Sequence, residues 1–137
     1  MQKTFTILKP DAVKAGNIGA IVGHLEKAGF RIRAIKMIHL TEGQAEGFYH
    51  VHRERPFFGS LVKFMTEGPV VMMVLEAENA IEKLRKVMGA TDSAKAEPGT
   101  IRKQFGTNIE RNAIHGSDGP DTAIFEISYF FSQLEIV

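Results

Sequence analysis

Val70-Val-Met-Met-Val-Leu75 is apolar at every position. Side chains of a strand alternate between its two faces, so an uninterrupted apolar strand must be covered on both sides at once. Gly68-Pro69 breaks the chain just before it, which fixes where such a strand begins. A chain of 137 residues with 44% hydrophobic content has enough apolar surface to provide that cover within one unit spanning 1–137. It is short for two domains.

The remaining elements follow from local patterns. Thr4 to Lys9, rich in Thr, Phe and Ile, predicts a buried strand that Pro10 ends in a loop carrying Lys9. Ile18, Ile21, Val22 and Leu25 recur at helical spacing before Gly29. Phe30 to Leu40 predicts a long strand, with Phe30, Ile32, Ala34 and Ile38 alternating against Arg31 and Arg33. Thr41 and Gln44 form a capping box opening a helix to about His50, and a second helix follows Pro56. Asn79 is placed to cap a helix from there to Met88, which Gly89 ends. Residues 90–110 lack a sustained period and predict a functional loop with one short helix. A brief strand at Ala113–His115 and a helix at Pro120–Phe131 complete the order. Setting aside the inserted helix pair and the last helix, this is the βαββαβ order of a ferredoxin-like α+β sandwich on a four-stranded antiparallel sheet. The fold alone decides little about function, because it carries enzymes, RNA-binding modules and sensors alike.

Charge and composition exclude several classes. Seventeen basic and 16 acidic residues leave a formal net charge of +1, which gives no global attraction to nucleic acid or membrane. With no cysteine, disulfides, thiolate metal sites and cysteine catalysis are excluded. Met1-Gln-Lys runs straight into a strand-like segment without a signal peptide's apolar stretch, so a cytoplasmic location is expected. His50-x-His52 on a helix would point its two rings apart, against a zinc pair.

Chemistry concentrates at Asn112-Ala-Ile-His115-Gly-Ser-Asp118, with Glu126 eight residues beyond. A histidine beside glycine, with a carboxylate able to reach its second ring nitrogen, is the arrangement of a directed imidazole nucleophile. Gly116 would let a bulky phosphate approach, Ser117 and Asp118 supply polar groups, and Asn112 can bond a sugar hydroxyl. Glu126, between Phe125 and Ile127, has two readings: a solvated carboxylate on a helix edge, or the group orienting His115. Lys9, Arg85 and Arg102 lie in separate segments and are phosphate-binding candidates, since phosphoryl transfer needs converging cations, with Thr91 beside them. No Walker-type glycine loop or protein-kinase motif set is present, so a nucleotide site would be built another way. Of Phe57 and Phe58, at least one is expected in the core, and the other is free to serve as a platform for a base. Tyr49 either caps a core or aims its hydroxyl at a phosphate.

Five separated segments resemble the nucleoside diphosphate kinase family in order and spacing: Thr6-Ile-Leu-Lys-Pro-Asp11, Arg55-Pro-Phe-Phe58, Gly68-Pro-Val-Val71, Pro98-Gly-Thr-Ile-Arg102 and Asn112-Ala-Ile-His-Gly-Ser-Asp118. The resemblance implies a ping-pong exchange in which a nucleoside triphosphate phosphorylates His115, which then phosphorylates a nucleoside diphosphate. It implies attack through Nδ1, with Glu126 and Ser117 supporting the opposite side of the ring. Lys9 and Asn112 would hold sugar hydroxyls and phosphates; Tyr49, Arg85, Thr91 and Arg102 would bind phosphates; Phe57 would stack on the base beside Leu61 and Ile109. Magnesium would arrive on the nucleotide, held mainly by its phosphates rather than by protein ligands. Two departures stand out: Ser93 where proline is common in the family, and Gly119 where serine is common. The compact length resembles bacterial members and implies a homo-oligomer, a hexamer in preference to a tetramer.

Two other functions compete. A nucleic-acid-binding module would share the strand order, but the aromatic RNP signature is absent and the charge is near zero. A regulatory oligomer without activity would have no physical need for His115, Lys9 and Arg102 together.

Overall fold

A computed structural model of the chain describes all of residues 1–137. Four strands, β1 (Gln2–Leu8), β2 (Arg31–Ile38), β3 (Val70–Ala77) and β4 (Ile114–Gly116), form one antiparallel sheet in the order β2-β3-β1-β4. The apolar run is the interior strand β3, buried along its whole length. Its side chains divide as the strand period requires. Val70, Met72 and Val74 join Phe5, Ile7, Phe48, Met65 and Phe130 on one face. Val71, Met73 and Leu75 join Leu8, Ile21, Leu25, Leu84, Met88 and Ile114 on the other. Each such side chain withdrawn from water contributes about 1.5–3 kcal/mol, so β3 anchors both layers.

Helices α1 (Pro10–Lys14), α2 (Ile18–Lys27), α3 (Glu42–Phe48), α4 (Phe58–Met65), α5 (Ala80–Met88), α6 (Ile101–Phe105) and α7 (Pro120–Phe130) cover the sheet. Helices α2 and α5 bury Ile21, Leu25, Leu84 and Met88 against one face, while α3, α4 and α7 seal the other. The inserted pair and the last helix therefore supply the second cover that β3 demanded.

Several boundaries differ from the sequence reading, each for a local reason. Pro10 begins a helical turn instead of a loop, because its fixed φ and missing N–H suit the first helical position. The β2 alternation does not describe one face. A bulge between Ile32 and Ala34 sends Phe30 and Ile32 to the α2–α5 side and Ala34 and Ile38 to the other. Asn79 does not cap α5 with its side chain; at φ 48° it makes the tight reversal out of β3. The Gln2 Oε1 accepts from the Ile81 N–H at 3.0 Å instead. The Thr41–Gln44 capping box is present, but α3 stops at Phe48 and His50–His52 form a 3-10 turn. The 90–110 segment holds a 3-10 turn at Ser93–Lys95 as well as α6. Helix α7 starts after Gly119, where the Thr122 hydroxyl accepts from the N–H groups of Asp118 and Gly119. No helix is long and apolar enough to cross a membrane.

Candidate active site

Strand β4 pairs with β1 through Thr6–Gly116, Ile7–His115 and Leu8–Ile114, which puts His115 beside the end of β1 and the loop bearing Lys9. The far wall of the imidazole is aromatic. Phe5, Phe48 and Tyr49 present themselves edge-on to it at centroid distances of 6.4, 5.3 and 6.3 Å. Helix α7 brings Glu126 to the ring: Nε2 of His115 lies 3.0 Å from Oε1, and the Ser117 hydroxyl donates to the same oxygen at 2.7 Å. Glu126 is buried, so of its two readings the solvated helix edge is wrong. Ser117 reaches the histidine only through Glu126. A carboxylate can accept but not donate, so the Nε2 facing it carries the proton and Nδ1 keeps its lone pair.

One cleft gathers the rest. Lys9, Tyr49, Phe57, Leu61, Arg85, Thr91, Arg102, Ile109, Asn112 and His115 all line it, so every site position read from the sequence meets there except Glu126 and Ser117, which stand behind the ring. At one end Phe57, Leu61 and Ile109, with Lys9, Thr91 and Glu110, enclose a slot of about 300 Å³. Phe57 and Ile109 are exposed at 47% and 66%. Phe58 packs against the core instead, so the two aromatics split as the sequence allowed.

At the other end the side chains are buried and already engaged. Lys9 donates from Nζ to Asn112 Oδ1 at 2.8 Å, and Asn112 Nδ2 donates to the Thr91 and Ile109 carbonyls. Only one acceptor position of Asn112 is thus left for a ligand. Burial, reinforced by the nearby Arg102 charge, lowers the Lys9 ammonium to about 8. Arg102 donates to the carbonyls of Gly89 and Ile114, and burial together with Arg85 lowers it to about 10. Its Nε has no protein partner, nor has the buried Tyr49 hydroxyl, whose pKa burial and then Glu126 push up. Buried polar atoms left without a partner are costly, and here both belong to residues that line the cleft. Arg85 is more exposed and pairs with Asp118 at 2.9 Å.

Gly116 lines the cleft beside His115, as the sequence reading expects, and also packs closely against α5. A Cβ there would come within 2.8 Å of Met88 Sδ and 3.0 Å of Leu84 Cδ2, so a larger residue would force the ends of those buried side chains to shift. Ser93, where the sequence departs from expectation, is buried and donates to the Asn108 carbonyl at 3.3 Å, tying the Thr91 loop to the Ile109 loop. Sequence reading missed His52 and Glu110. His52 lines the cleft and packs on Phe57 at 5.6 Å, brought there by a 3-10 turn that helical spacing does not anticipate. Glu110 accepts from Ser60 and carried no local signal.

The nucleoside diphosphate kinase family model matches residues 2–136. The nucleoside diphosphate kinase of Desulfosudis oleivorans is 61% identical over all of this chain and 99% of its own length. That of Geobacter sulfurreducens is 59% identical over the whole of both. Among solved structures, the Aquifex aeolicus nucleoside diphosphate kinase superimposes with a TM-score of 0.97 at 50% identity, covering 99% of each chain. The halophilic enzyme from Halobacterium salinarum in complex with CDP gives 0.96 at 43% identity, covering 99% of this chain and 91% of that one. Alike in sequence and in fold along essentially its whole length, the chain belongs to the nucleoside diphosphate kinase family.

Proposed function

We propose that this chain, acting as one domain over 1–137, is a nucleoside diphosphate kinase that passes the γ-phosphoryl group of a nucleoside triphosphate to a nucleoside diphosphate through His115. The observation that carries the proposal is the His115–Glu126 contact of 3.0 Å at a cleft where Lys9, Arg85 and Arg102 converge. With its proton on Nε2, the imidazole attacks the γ-phosphorus through Nδ1. The bond to the bridging oxygen breaks, and the diphosphate leaves with the electron pair. Glu126 stabilises the imidazolium that forms, and Ser117 holds Glu126 in place. A second diphosphate in the same cleft then attacks the phosphoryl group and frees the ring.

The cations balance charge on the phosphoryl oxygens throughout. Arg85, Arg102, Thr91 and the Tyr49 hydroxyl serve the phosphates, and Lys9 and Asn112 serve the sugar and phosphates. Phe57, Leu61 and Ile109 hold the base by stacking, which needs no particular donor pattern and so tolerates every base. No group of three or more His, Cys, Asp or Glu side chains is positioned to hold a metal. Magnesium would be carried in by the nucleotide phosphates, which supply its main ligands, and would add further charge compensation. We place the protein in the cytoplasm as a homo-oligomer, a hexamer in preference to a tetramer, and do not favour a nucleic-acid partner for a chain of net charge +1.

The test is transfer of label from γ-labelled ATP to the protein and on to GDP. The protein-bound label should be acid-labile and alkali-stable, and initial rates should give parallel double-reciprocal lines. Intersecting lines would mean direct transfer between two bound nucleotides and would overturn the phosphohistidine.

A further inference from the structure

The segment delivering His115 to the cleft contains a strained residue. Ala113 has φ 73°, one of two positive values among the non-glycine residues. The Ile114 N–H donates back to the Asn112 carbonyl at 2.9 Å, closing a γ-turn around Ala113. Positive-φ γ-turns are rare and strained, and a Cβ adds to the cost. The turn stands between the two groups that most need fixed positions: Asn112, whose Oδ1 receives Lys9, and His115, in register with Ile7.

Both backbone groups of the strained residue are held by one short stretch of chain. The Lys9 N–H donates to the Ala113 carbonyl at 2.8 Å, and Asp11 Oδ2 accepts from the Ala113 N–H at 3.1 Å. Asp11 does not line the nucleotide cleft. It borders a separate depression behind the loop, with Pro10, Lys14 and Arg111. Its other oxygen, Oδ1, is buried without a partner, and burial raises its pKa. Burying a carboxylate there is costly, and the Ala113 N–H offsets part of that cost.

We propose that Asp11 is a positioning residue for phosphoryl transfer, clamping the Ala113 γ-turn so that Asn112 meets Lys9 and His115 stays in register on β1. The proposal rests on the His115 phosphotransfer reading above. The clamp acts through the backbone and touches neither nucleotide nor imidazole.

Rapid-quench phosphorylation of the full chain by γ-labelled ATP tests it, with folding of each variant followed by circular dichroism. Asp11→Ala should slow labelling of His115 by about 10–100-fold, the scale of a displaced catalytic group. Glycine occupies positive φ without the side-chain clash, so Ala113→Gly in the Asp11→Ala background should recover most of the lost rate and alone stay within about threefold of the parent. Asp11→Asn, which keeps an acceptor for the Ala113 N–H, should also stay within about threefold. Asp11 lies in the first turn of α1 as well; a loss arising from that helix would not be rescued at Ala113. The clamp is refuted if Asp11→Ala labels at the parental rate, or if Ala113→Gly brings no recovery. Should Asp11→Ala not fold, labelling by Asp11→Asn and folding of the double variant decide the matter: slow Asn labelling, or a double variant that stays unfolded, refutes the clamp. A parent protein that takes no label would instead refute the phosphotransfer reading itself.

Discussion

The two ends of the cleft are built on opposite principles. Around His115 the side chains are buried and hydrogen-bonded before any ligand arrives: Lys9 to Asn112, Arg102 to two carbonyls, Glu126 to both the imidazole and Ser117. Around the proposed base slot, Phe57 is about half exposed and Ile109 more so, and the slot's walls are mainly apolar edges. Charge developing on a phosphoryl group rewards donors fixed beforehand, because reorienting them during reaction would add to the barrier. A flat base asks only for a surface to lie on. On the proposed reading, the chain fixes the end where geometry would control rate and leaves plain the end where it would control only affinity.

The contrast is broken most directly by removing the proposed nucleophile. His115→Ala should lose phosphoenzyme formation by about four orders of magnitude or more, the scale of deleting a nucleophile from a catalytic unit; substantial acid-labile labelling of that variant would put the chemistry elsewhere. Next comes Glu126→Gln, expected to slow phosphorylation by about 10–100-fold with nucleotide affinity nearly unchanged, because orientation acts on the transition state more than on binding. Separate single-turnover rates and dissociation constants would show a parallel fall in both if Glu126 were only structural.

At the plain end, Phe57→Ala should weaken nucleotide binding by about 1–3 kcal/mol without creating a preference among bases. The parent should phosphorylate purine and pyrimidine diphosphates within roughly two orders of magnitude of one another, and a preference above about 10⁴ would reveal hydrogen-bond readout in place of stacking.

The smallest effect sharpens the comparison through pH. With the Lys9 ammonium lowered to about 8, the apparent KM for nucleotide should rise a few-fold as pH climbs through about 8, since the free protein loses a cation there. A Lys9→Gln variant should lack that inflection. The same shift has a stability consequence of definite sign. Between about 8 and the ordinary value of 10.5 the unfolded chain binds the extra proton, so this group's contribution to folding becomes more favourable as pH rises across that window.

How much of this was legible in the sequence depended on whether a residue's reason was local. The apolar run from Val70 to Leu75 announced its two-sided burial, and the histidine segment announced its chemistry, because those signals lie in consecutive residues. Glu126 was ambiguous. Its neighbours describe an ordinary amphipathic helix, and only the packing of α7 on β1 turns it inward. The β2 bulge was invisible because it is a property of pairing with β3. Glu110 and His52 were missed as site-forming residues because an irregular loop and a 3-10 turn carry them there, and Asp11 because the backbone it holds at Ala113 lies 102 residues away.

Gly116 gives the site a dimension that no side chain can tune. Strand β4 carries His115 and α5 carries Arg85, and the two elements touch where a Cβ would sit 2.8 Å from Met88 Sδ. The gap between imidazole and guanidinium is thus gauged by a missing atom. A methyl at 116 would press on the ends of the Met88 and Leu84 side chains, which must shift or let the strand move off the helix. A substitution at this position therefore bears on how far the imidazole stands from the guanidinium.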